Sequence, residues 1–358
     1  MTLNRRTLAI AGLATPLLAH EAIALPRRGI AKRPIIIAHR GASGLRPEHT
    51  VSAYRLAVDQ GADFIEPDLV LTKDGIMVVR HENEIGGTTD IAGRAEFTAR
   101  KTTKIVDGES IEGWFTEDFT LAELKTLRAR ERLPQLRPTS AAFDGTDPIP
   151  TFEEVVALAK SESKRVGRII GVYPEMKHPS YFAGLGMTFE GRLADALKTY
   201  GLNSASAAVF VQCFEVAPLK TIRALTKAPL VQLVSAEGGP ADRAKVSYSD
   251  MVSASGLKAV ATYANGVGPD WKMVVPVVDG GLGAPTALVT NAHAAGLQVH
   301  PYTVRAENYF LPTKLWIGND PAAHGQVGAV LAALFAAGVD GLFSDFPGLA
   351  SAARGRLA

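Results

Sequence analysis

The chain has 358 residues, of which 47% are hydrophobic and 21% charged, and its formal net charge is +2 at pH 7. This length suits one barrel-sized domain or two smaller ones. The nearly balanced charge, without a basic run, argues against nucleic-acid binding. The single cysteine, Cys213, excludes an internal disulfide bond and a cysteine-based metal site. It lies in the β-rich segment 209–214, where we expect a buried strand thiol.

The amino terminus has the layout of an export signal. Two consecutive arginines precede an apolar run at 8–19, and small residues follow at 22–24. We predict a signal peptide at 1–24, of the twin-arginine type or, alternatively, a Sec signal with a basic start. The apolar run is too short for a stable membrane-spanning helix. After a linker at 25–34 we expect an exported protein, periplasmic or secreted, without stable membrane insertion.

From residue 35 onwards, short β-rich runs alternate with helical patterns, among them the helices predicted at 48–60 and 191–200 and at 321–337. The candidate strands are 35–38, 64–71, 169–173, 208–213, 230–234, 263–267, 299–303 and 341–344. Such alternation is typical of parallel βαβ units, and about eight of them favour an α/β fold of the TIM (β/α)8 barrel type in one domain at 35–350. We interpret the further run at 76–79 as the second arm of a hairpin-like extension.

The segment 82–167 interrupts this alternation. It is polar and rich in proline, most densely at 134–150, and it carries a helix signal at 118–130 and a capping-box pattern at 151–154. We interpret it as a small insertion after the second strand that rises above the mouth of the barrel, and not as a separate domain.

The first strand candidate ends abruptly in polar residues. Residues 35–42 read IIIAHRGA, which places His39 and Arg40 directly after a buried run. Ligands of α/β proteins bind at the carboxyl ends of the strands. A titratable histidine beside a fixed cation suggests chemistry on an anion, such as a phosphate.

Carboxylates follow two further strand candidates. Glu66 and Asp68 are two residues apart, so both point to the same face, and Glu175 similarly shares a face with Lys177. Three converging carboxylates suit a hard divalent cation such as Ca²⁺ or Mg²⁺. Alternatively, these acids are solvated, or they pair with Lys177 and Arg40.

A second histidine, His81, also ends a β-rich run. Because histidine titrates near neutral pH, His39 and His81 could divide the roles of general base and general acid. We interpret His49 as local structure at the start of a helix, and His300 as a minor contact at the mouth of the barrel.

Several short motifs occur in a consistent order and spacing, and His81 follows the third of them after about a dozen residues. They are HRGA at 39–42, PEHT at 47–50, EPD at 66–68, YPEMK at 173–177, QCF at 212–214, HPYTVR at 300–305 and LFSDFP at 342–347. Together they resemble the glycerophosphodiester phosphodiesterases, most closely the periplasmic bacterial branch, over 35–347.

The resemblance implies a TIM barrel with a small insertion and metal-dependent hydrolysis of glycerophosphodiesters. Substrates such as glycerophosphocholine or glycerophosphoethanolamine would give sn-glycerol 3-phosphate and an alcohol. The implied roles are metal ligation by Glu66, Asp68 and Glu175, acid–base catalysis by His39 and His81, phosphate binding by Arg40 and Lys177, and further substrate contacts by Glu48, Gln212, Phe214 and Tyr302. The implied cofactor is one divalent cation, Ca²⁺ or else Mg²⁺.

The sequence also departs from the family pattern. Glu82 follows His81 where many relatives carry aspartate. The segments 234–248 and 270–285 are less recognisable, and we expect them to shape the leaving-alcohol side of the pocket.

Several alternatives stay open at this stage. The attacking group is either the glycerol 2-hydroxyl, which would give a cyclic phosphate, or water. A phospholipase-like barrel acting on lysophospholipids would need an apolar rim. An exported binding protein or adhesin would keep the barrel without turnover.

Overall fold

The computed structural model describes residues 33–242 and 245–357. The export signal predicted at 1–24, and nearly all of the linker predicted at 25–34, lie outside the described residues. Among the residues that the structure does describe, no helix has the length and apolar character to cross a bilayer.

Most strands of the described residues are short, and many are completely buried. In chain order they are β1 (Ile35–Ala38), β2 (Phe64–Ile65), β3 (Asp68–Leu71), β4 (Met77–Val79), β5 (Thr102–Val106), β6 (Glu109–Gly113), β7 (Gly171–Val172), β8 (Glu175–Met176), β9 (Val211–Cys213), β10 (Leu230–Val234), β11 (Gly266–Pro269), β12 (Val277–Val278), β13 (Gly281–Leu282), β14 (Gln298–Val299) and β15 (Gly341–Ser344).

The predicted TIM barrel is confirmed. Two interrupted strands, β2 with β3 and β7 with β8, join β1, β9, β10, β11, β14 and β15 in one parallel series around the barrel. The series closes where the Phe343 N–H donates to the Pro301 carbonyl at 3.0 Å, and the Val304 N–H donates to the Phe343 carbonyl at 2.9 Å. The predicted hairpin arm is confirmed as well, because β4 pairs antiparallel with β3.

The two interruptions of the barrel strands fall at Pro67 and Pro174. Proline has no N–H to donate, so it cannot take part in a regular ladder at that position. Beyond each proline the strand continues in register: Asp68 lies opposite Glu175, and Glu175 lies opposite Gln212. Neighbouring strand ends therefore bring these polar side chains together.

The helices surround the barrel or belong to its loops. They are α1 (Val51–Asp59), α2 (Leu121–Leu124), α3 (Pro138–Ala141), α4 (Phe152–Val166), α5 (Pro179–Gly184), α6 (Glu190–Thr199), α7 (Val216–Leu225), α8 (Tyr248–Met251), α9 (Ala254–Val260), α10 (Trp271–Val274), α11 (Leu288–Ala294), α12 (Val327–Ala336) and α13 (Pro347–Gly355).

The helix predicted at 48–60 begins only after its N-cap Thr50, and two other helices are also shorter than the sequence predicts. The helix predicted from the signal at 118–130 is reduced to α2. Its later residues form β-bridges instead, Ala129 with Thr89 and Arg128 with Pro148. The helix predicted at 321–337 begins at Val327, since the preceding residues hydrogen-bond to the loop 306–309. Tertiary pairing overrides local helix propensity at both places.

The segment between β4 and β7 carries the exposed hairpin β5–β6 and the short helices α2 and α3 before it reaches α4. The capping box predicted at 151–154 is present: the Thr151 hydroxyl accepts from the Glu154 N–H, and the Glu154 carboxylate accepts from the Thr151 N–H. This cap fixes the start of α4, which packs against α1 on the outside of the barrel.

The chain turns sharply at the carboxyl end of β1. Arg40 and Gly41 both have positive φ, at +58° and +87°. Gly41 also lies close to α1, because a Cβ atom built on it would be 2.8 Å from the Ala53 Cβ. Glycine is thus required here both by its backbone conformation and by the close approach of the helix.

We expect the substitution Gly41→Ala to lower the free energy of unfolding by about 1–3 kcal/mol, the usual cost of a strained backbone residue. Gly87→Ala is the matched control, because no atom lies within 4 Å of its built Cβ. Urea denaturation of both variants measures the difference. Equal stability of the two variants would contradict the tight turn.

Candidate active site

A cavity of about 120 Å³ opens at the carboxyl ends of the barrel strands. Its lining comes from the barrel strands and from the residues that follow them: His39, Arg40, Glu66, His81, Glu175, Gln212, Phe214, Leu233, Tyr302, Thr303, Arg305 and Phe343. The structure therefore brings both predicted histidines and two of the three predicted carboxylates to one cavity.

Glu66, Asp68 and Glu175 form a buried group of three carboxylates. One oxygen from each lies within 4.8 Å of the others. Asp68 Oδ1 is buried and has no hydrogen-bond partner among the residues that the structure describes. An unpaired buried carboxylate oxygen is costly unless something binds it, and hard oxygen donors of this kind are the ligands of Ca²⁺ and Mg²⁺. The three residues therefore fit the predicted divalent cation.

The electrostatics of the group agree with a cation site. Burial, together with the charge of Asp68, raises the pKa of Glu66 well above its usual value. Burial likewise raises the pKa of Glu175 to about 7, although Lys177 opposes the shift. Burial alone would also raise the pKa of Asp68, but the charge of His49 and its hydrogen bond to Asp68 hold that pKa below its usual value. A divalent cation would relieve the repulsion among the three groups.

Hydrogen bonds fix the orientation of each carboxylate. The Arg40 backbone N–H donates to Glu66 Oε2 at 2.9 Å, and Gln212 Nε2 donates to Glu66 Oε1 at 2.8 Å. Lys177 Nζ lies 3.0 Å from Glu175 Oε1. The predicted substrate contact Gln212 thus supports a carboxylate of the cation site, in the way that outer contacts commonly orient metal ligands.

His39 is held by a carboxylate on the far side of its ring. Its Nδ1 lies 2.5 Å from Asp345 Oδ1, and because an ionised carboxylate only accepts, Nδ1 carries the proton. Its Nε2 is left facing Glu66 at 4.0 Å. Burial and the neighbouring Arg40 lower the pKa of His39 to about 4, so the ring is neutral at neutral pH.

Asp345 in turn lies between two guanidinium groups. Arg137 and Arg305 both donate to its Oδ2, the latter at 3.0 Å. Although burial raises the pKa of Asp345, these two arginines hold that pKa well below its usual value. The group that orients His39 is therefore a fixed anion.

His81 has an equivalent arrangement. Its Nδ1 bonds to Glu82, the residue that departs from the family pattern, and its Nε2 accepts from Lys177 Nζ at 3.2 Å. Burial and the charge of Arg40 lower the pKa of His81 well below its usual value. Glu82 thus orients the ring of His81 in this structure.

A chain of ion pairs connects Arg40 to the segment after β4. Arg40 Nη1 donates to Glu48 Oε2 at 2.9 Å, and Arg132 Nη2 donates to both Glu48 Oε1 and Glu82 Oε2 at 2.6 Å. Burial raises the pKa of Glu48, but Arg132 and Arg40 hold that pKa well below its usual value. The predicted substrate contact Glu48 therefore lies between two arginines.

Sequence reasoning missed several residues of this site. His49 is completely buried just before Thr50, the N-cap of α1, and its Nε2 lies 2.9 Å from Asp68 Oδ2, so it supports the cation site. The motif PEHT was the available signal for this role. Arg305 and Asp345 belong to the motifs at 300–305 and 342–347. Arg132 and Arg137 lie in the irregular segment 82–167, where no motif indicated a role in the site.

Two aromatic side chains line one side of the cavity. Phe214 and Tyr302 pack edge to face, with ring centroids 5.7 Å apart. His300, in contrast, is buried below the mouth, where its Nδ1 lies 2.8 Å from the hydroxyl of Tyr173. Together with Phe343, Tyr173 belongs to a buried cluster beneath the cavity.

Comparisons with known proteins agree with this site. Residues 39–349 match the model of the glycerophosphoryl diester phosphodiesterase family. A glycerophosphodiester phosphodiesterase of Arabidopsis thaliana is 37% identical over 88% of this chain and 84% of its own length. One of Haemophilus influenzae is 31% identical over 87% of both chains.

A solved structure supports the fold. An Oleispira antarctica phosphodiesterase, determined in complex with the product sn-glycerol 3-phosphate, superposes with a TM-score of 0.57 and 21% identity over 89% of this chain and 96% of its own. The family model and the curated relatives both cover most of the chain. The chain therefore belongs to the glycerophosphoryl diester phosphodiesterase family.

Proposed function

We propose that the protein hydrolyses glycerophosphodiesters such as glycerophosphocholine and glycerophosphoethanolamine in a metal-dependent reaction. Water adds across one P–O bond, so that sn-glycerol 3-phosphate and a free alcohol form. The observation that carries this proposal is that two carboxylate-oriented histidines share one cavity with Glu66 and Glu175, which form a buried group of three carboxylates with Asp68. The product bound to the Oleispira antarctica relative supports the same chemistry.

In this proposal, Glu66, Asp68 and Glu175 hold one divalent cation, Ca²⁺ or Mg²⁺. When bound, the cation draws negative charge from the non-bridging oxygens of the phosphodiester. Arg40 and Lys177 add fixed positive charge beside the carboxylates and bind the same oxygens. The side chains of Arg40 and Lys177 are already oriented by ion pairs with Glu48 and Glu175, so they need little reorganisation when the substrate binds.

His39 and His81 carry the proton transfers. Each ring has its Nδ1 proton held by a carboxylate and its Nε2 turned towards the site, which is the tautomer that a general base requires. One histidine removes a proton from the attacking oxygen at its Nε2, and the other, which first takes up a proton from water at its own Nε2, protonates the departing alcohol oxygen. The orienting anions Asp345 and Glu82 stabilise the imidazolium that forms.

The alternatives from the sequence are less favoured. A binding protein without turnover has no need for two histidines that are each oriented by a carboxylate beside a carboxylate trio. A lysophospholipid substrate would need an apolar surface for its acyl chain, whereas only Phe214, Leu233 and Phe343 among the residues that line this cavity are fully apolar.

We expect the wild-type protein to release sn-glycerol 3-phosphate from glycerophosphocholine, and His39→Ala and His81→Ala each to lower kcat by at least about 10²-fold, because one proton transfer is lost. His293→Ala is the control, since His293 is an exposed histidine paired with Asp340. A coupled enzymatic assay for sn-glycerol 3-phosphate measures the rates. Undiminished turnover in either variant would contradict the two-histidine mechanism.

We expect the substitution Asp68→Asn to weaken Ca²⁺ binding at least about 10-fold, because changes to groups that merely orient a metal ligand already cost about 10–100-fold. Asp195→Asn, on the exposed face of α6, serves as the control. Calorimetric titration of chelator-treated protein measures the affinity. Full activity of the wild-type protein in excess chelator would refute the metal dependence.

We expect Asp345→Asn to lower kcat by about 10²–10⁴-fold with little change in KM, because the ring of His39 loses its orienting anion, and the comparable change in a serine-protease triad costs about 10⁴-fold. Asp340→Asn is the matched control. Asp340 also pairs with a histidine, since its Oδ2 lies 2.8 Å from His293 Nε2, but neither residue lines the cavity. Steady-state kinetics separate the two constants. A rise in KM alone would assign Asp345 to substrate binding.

A further inference from the structure

A second cavity adjoins the active site. It has a volume of about 260 Å³ and shares the wall residues Glu175 and Phe214 with the first cavity. A phosphodiester has two arms, and only one of them is the glycerol. When the phosphate lies beside the carboxylate trio, the second cavity is the adjoining space into which the other arm can extend.

The walls of the second cavity come from elements that surround the catalytic centre. Asp107 lies in the turn between β5 and β6, His178 precedes α5, and Glu215 precedes α7. Tyr248 begins α8 and closes the segment 234–248, which departs from the family pattern. The lining therefore combines residues of the motifs at 173–177 and 212–214 with residues from loops outside those motifs.

Negative charge predominates in this cavity. Its acidic and basic lining groups are Asp107, Glu175, Lys177, His178 and Glu215, and the titratable Cys213 and Tyr248 also line it. Within the ranges 33–242 and 245–357, Lys177 pairs with Glu175 at 3.0 Å, and His178 Nδ1 lies 2.6 Å from Asp107 Oδ2. The same ranges give Glu215 no cationic partner. Its carboxylate accepts only from the Ser180 hydroxyl and backbone N–H.

Aromatic rings complete the site. Phe214 and Tyr248 pack edge to face with centroids 6.2 Å apart, and both line the cavity. Aromatic faces attract organic cations through the ring quadrupole, and carboxylates attract them by charge. Glu215 is only 2% exposed, and burial raises its pKa to about 7, so a cation beside it would favour its ionised form.

We propose that this second cavity is the subsite for the leaving alcohol, and that Glu215 with Asp107, Phe214 and Tyr248 selects diesters whose alcohol carries an ammonium group. The inference rests on the proposed function and adds to it the class of alcohol. With a neutral or anionic alcohol, the buried carboxylate of Glu215 would have no counter-charge from the residues that the structure describes.

The test compares glycerophosphocholine with its carbon isostere, in which 3,3-dimethylbutanol replaces choline and removes only the charge. We expect the wild-type kcat/KM to favour the choline diester at least about 10-fold, a factor that corresponds to about 1.4 kcal/mol. Glu215→Gln should bring the ratio to about one. In the control Glu237→Gln the ratio should stay as in the wild type, because Glu237 is an exposed residue of the segment 234–248 and does not line the cavity.

A second variant covers the case in which Glu215→Gln folds poorly. Asp107→Asn is compatible with its backbone, because Asp107 has φ of +51° and asparagine tolerates the left-handed region. This variant should also lower the ratio. A wild-type ratio near one, or a ratio that both variants retain, would overturn the proposal.

Direct binding separates this inference from the proposed function. Calorimetric titration with choline, and with 3,3-dimethylbutanol as the neutral probe, needs no turnover. We expect choline to bind the wild-type protein and to bind Glu215→Gln at least about 10-fold more weakly. Selective choline binding without hydrolysis of either diester would refute the proposed function alone, whereas hydrolysis without selective binding would refute the cationic subsite.

Discussion

The mutual repulsion of three buried carboxylates is the constraint on which the rest of the site depends. Glu66, Asp68 and Glu175 approach one another within a few ångströms, largely out of contact with water. Such a group is stable only with compensating positive charge and hydrogen-bond donors. Arg40, Lys177 and His49 supply part of that compensation, and the unpartnered oxygen of Asp68 leaves room for a cation to supply the remainder.

The barrel meets this constraint through its strand ends and its loops. Proline interrupts β2–β3 and β7–β8 at the same level, so the acidic residues lie next to one another in register. The segment after β4 then returns to the mouth, where Arg132 bridges Glu48 and Glu82, and where Arg137 contacts Asp345. That segment therefore does more than cover the barrel, because its arginines fix the anions that orient both histidines.

Much of this arrangement could be predicted from the sequence, since buried runs and the motifs that end them are local features. The strands 35–38, 230–234 and 341–344 agree with the structure residue for residue. The roles of Arg132 and Arg137 could not be predicted, because they depend on where an irregular segment folds back. The helix predicted at 321–337 was too long for a related reason: its first residues pair with a distant loop.

The central claim is that one divalent cation and the phosphate of the substrate meet between His39 and His81. A crystal structure with Ca²⁺ and sn-glycerol 3-phosphate tests it most directly. The account predicts anomalous density for one ion bound by Glu66, Asp68 and Glu175, with the phosphate contacting that ion, Arg40 and Lys177. An ion or a phosphate that binds elsewhere, with the three carboxylates unligated, would contradict the account.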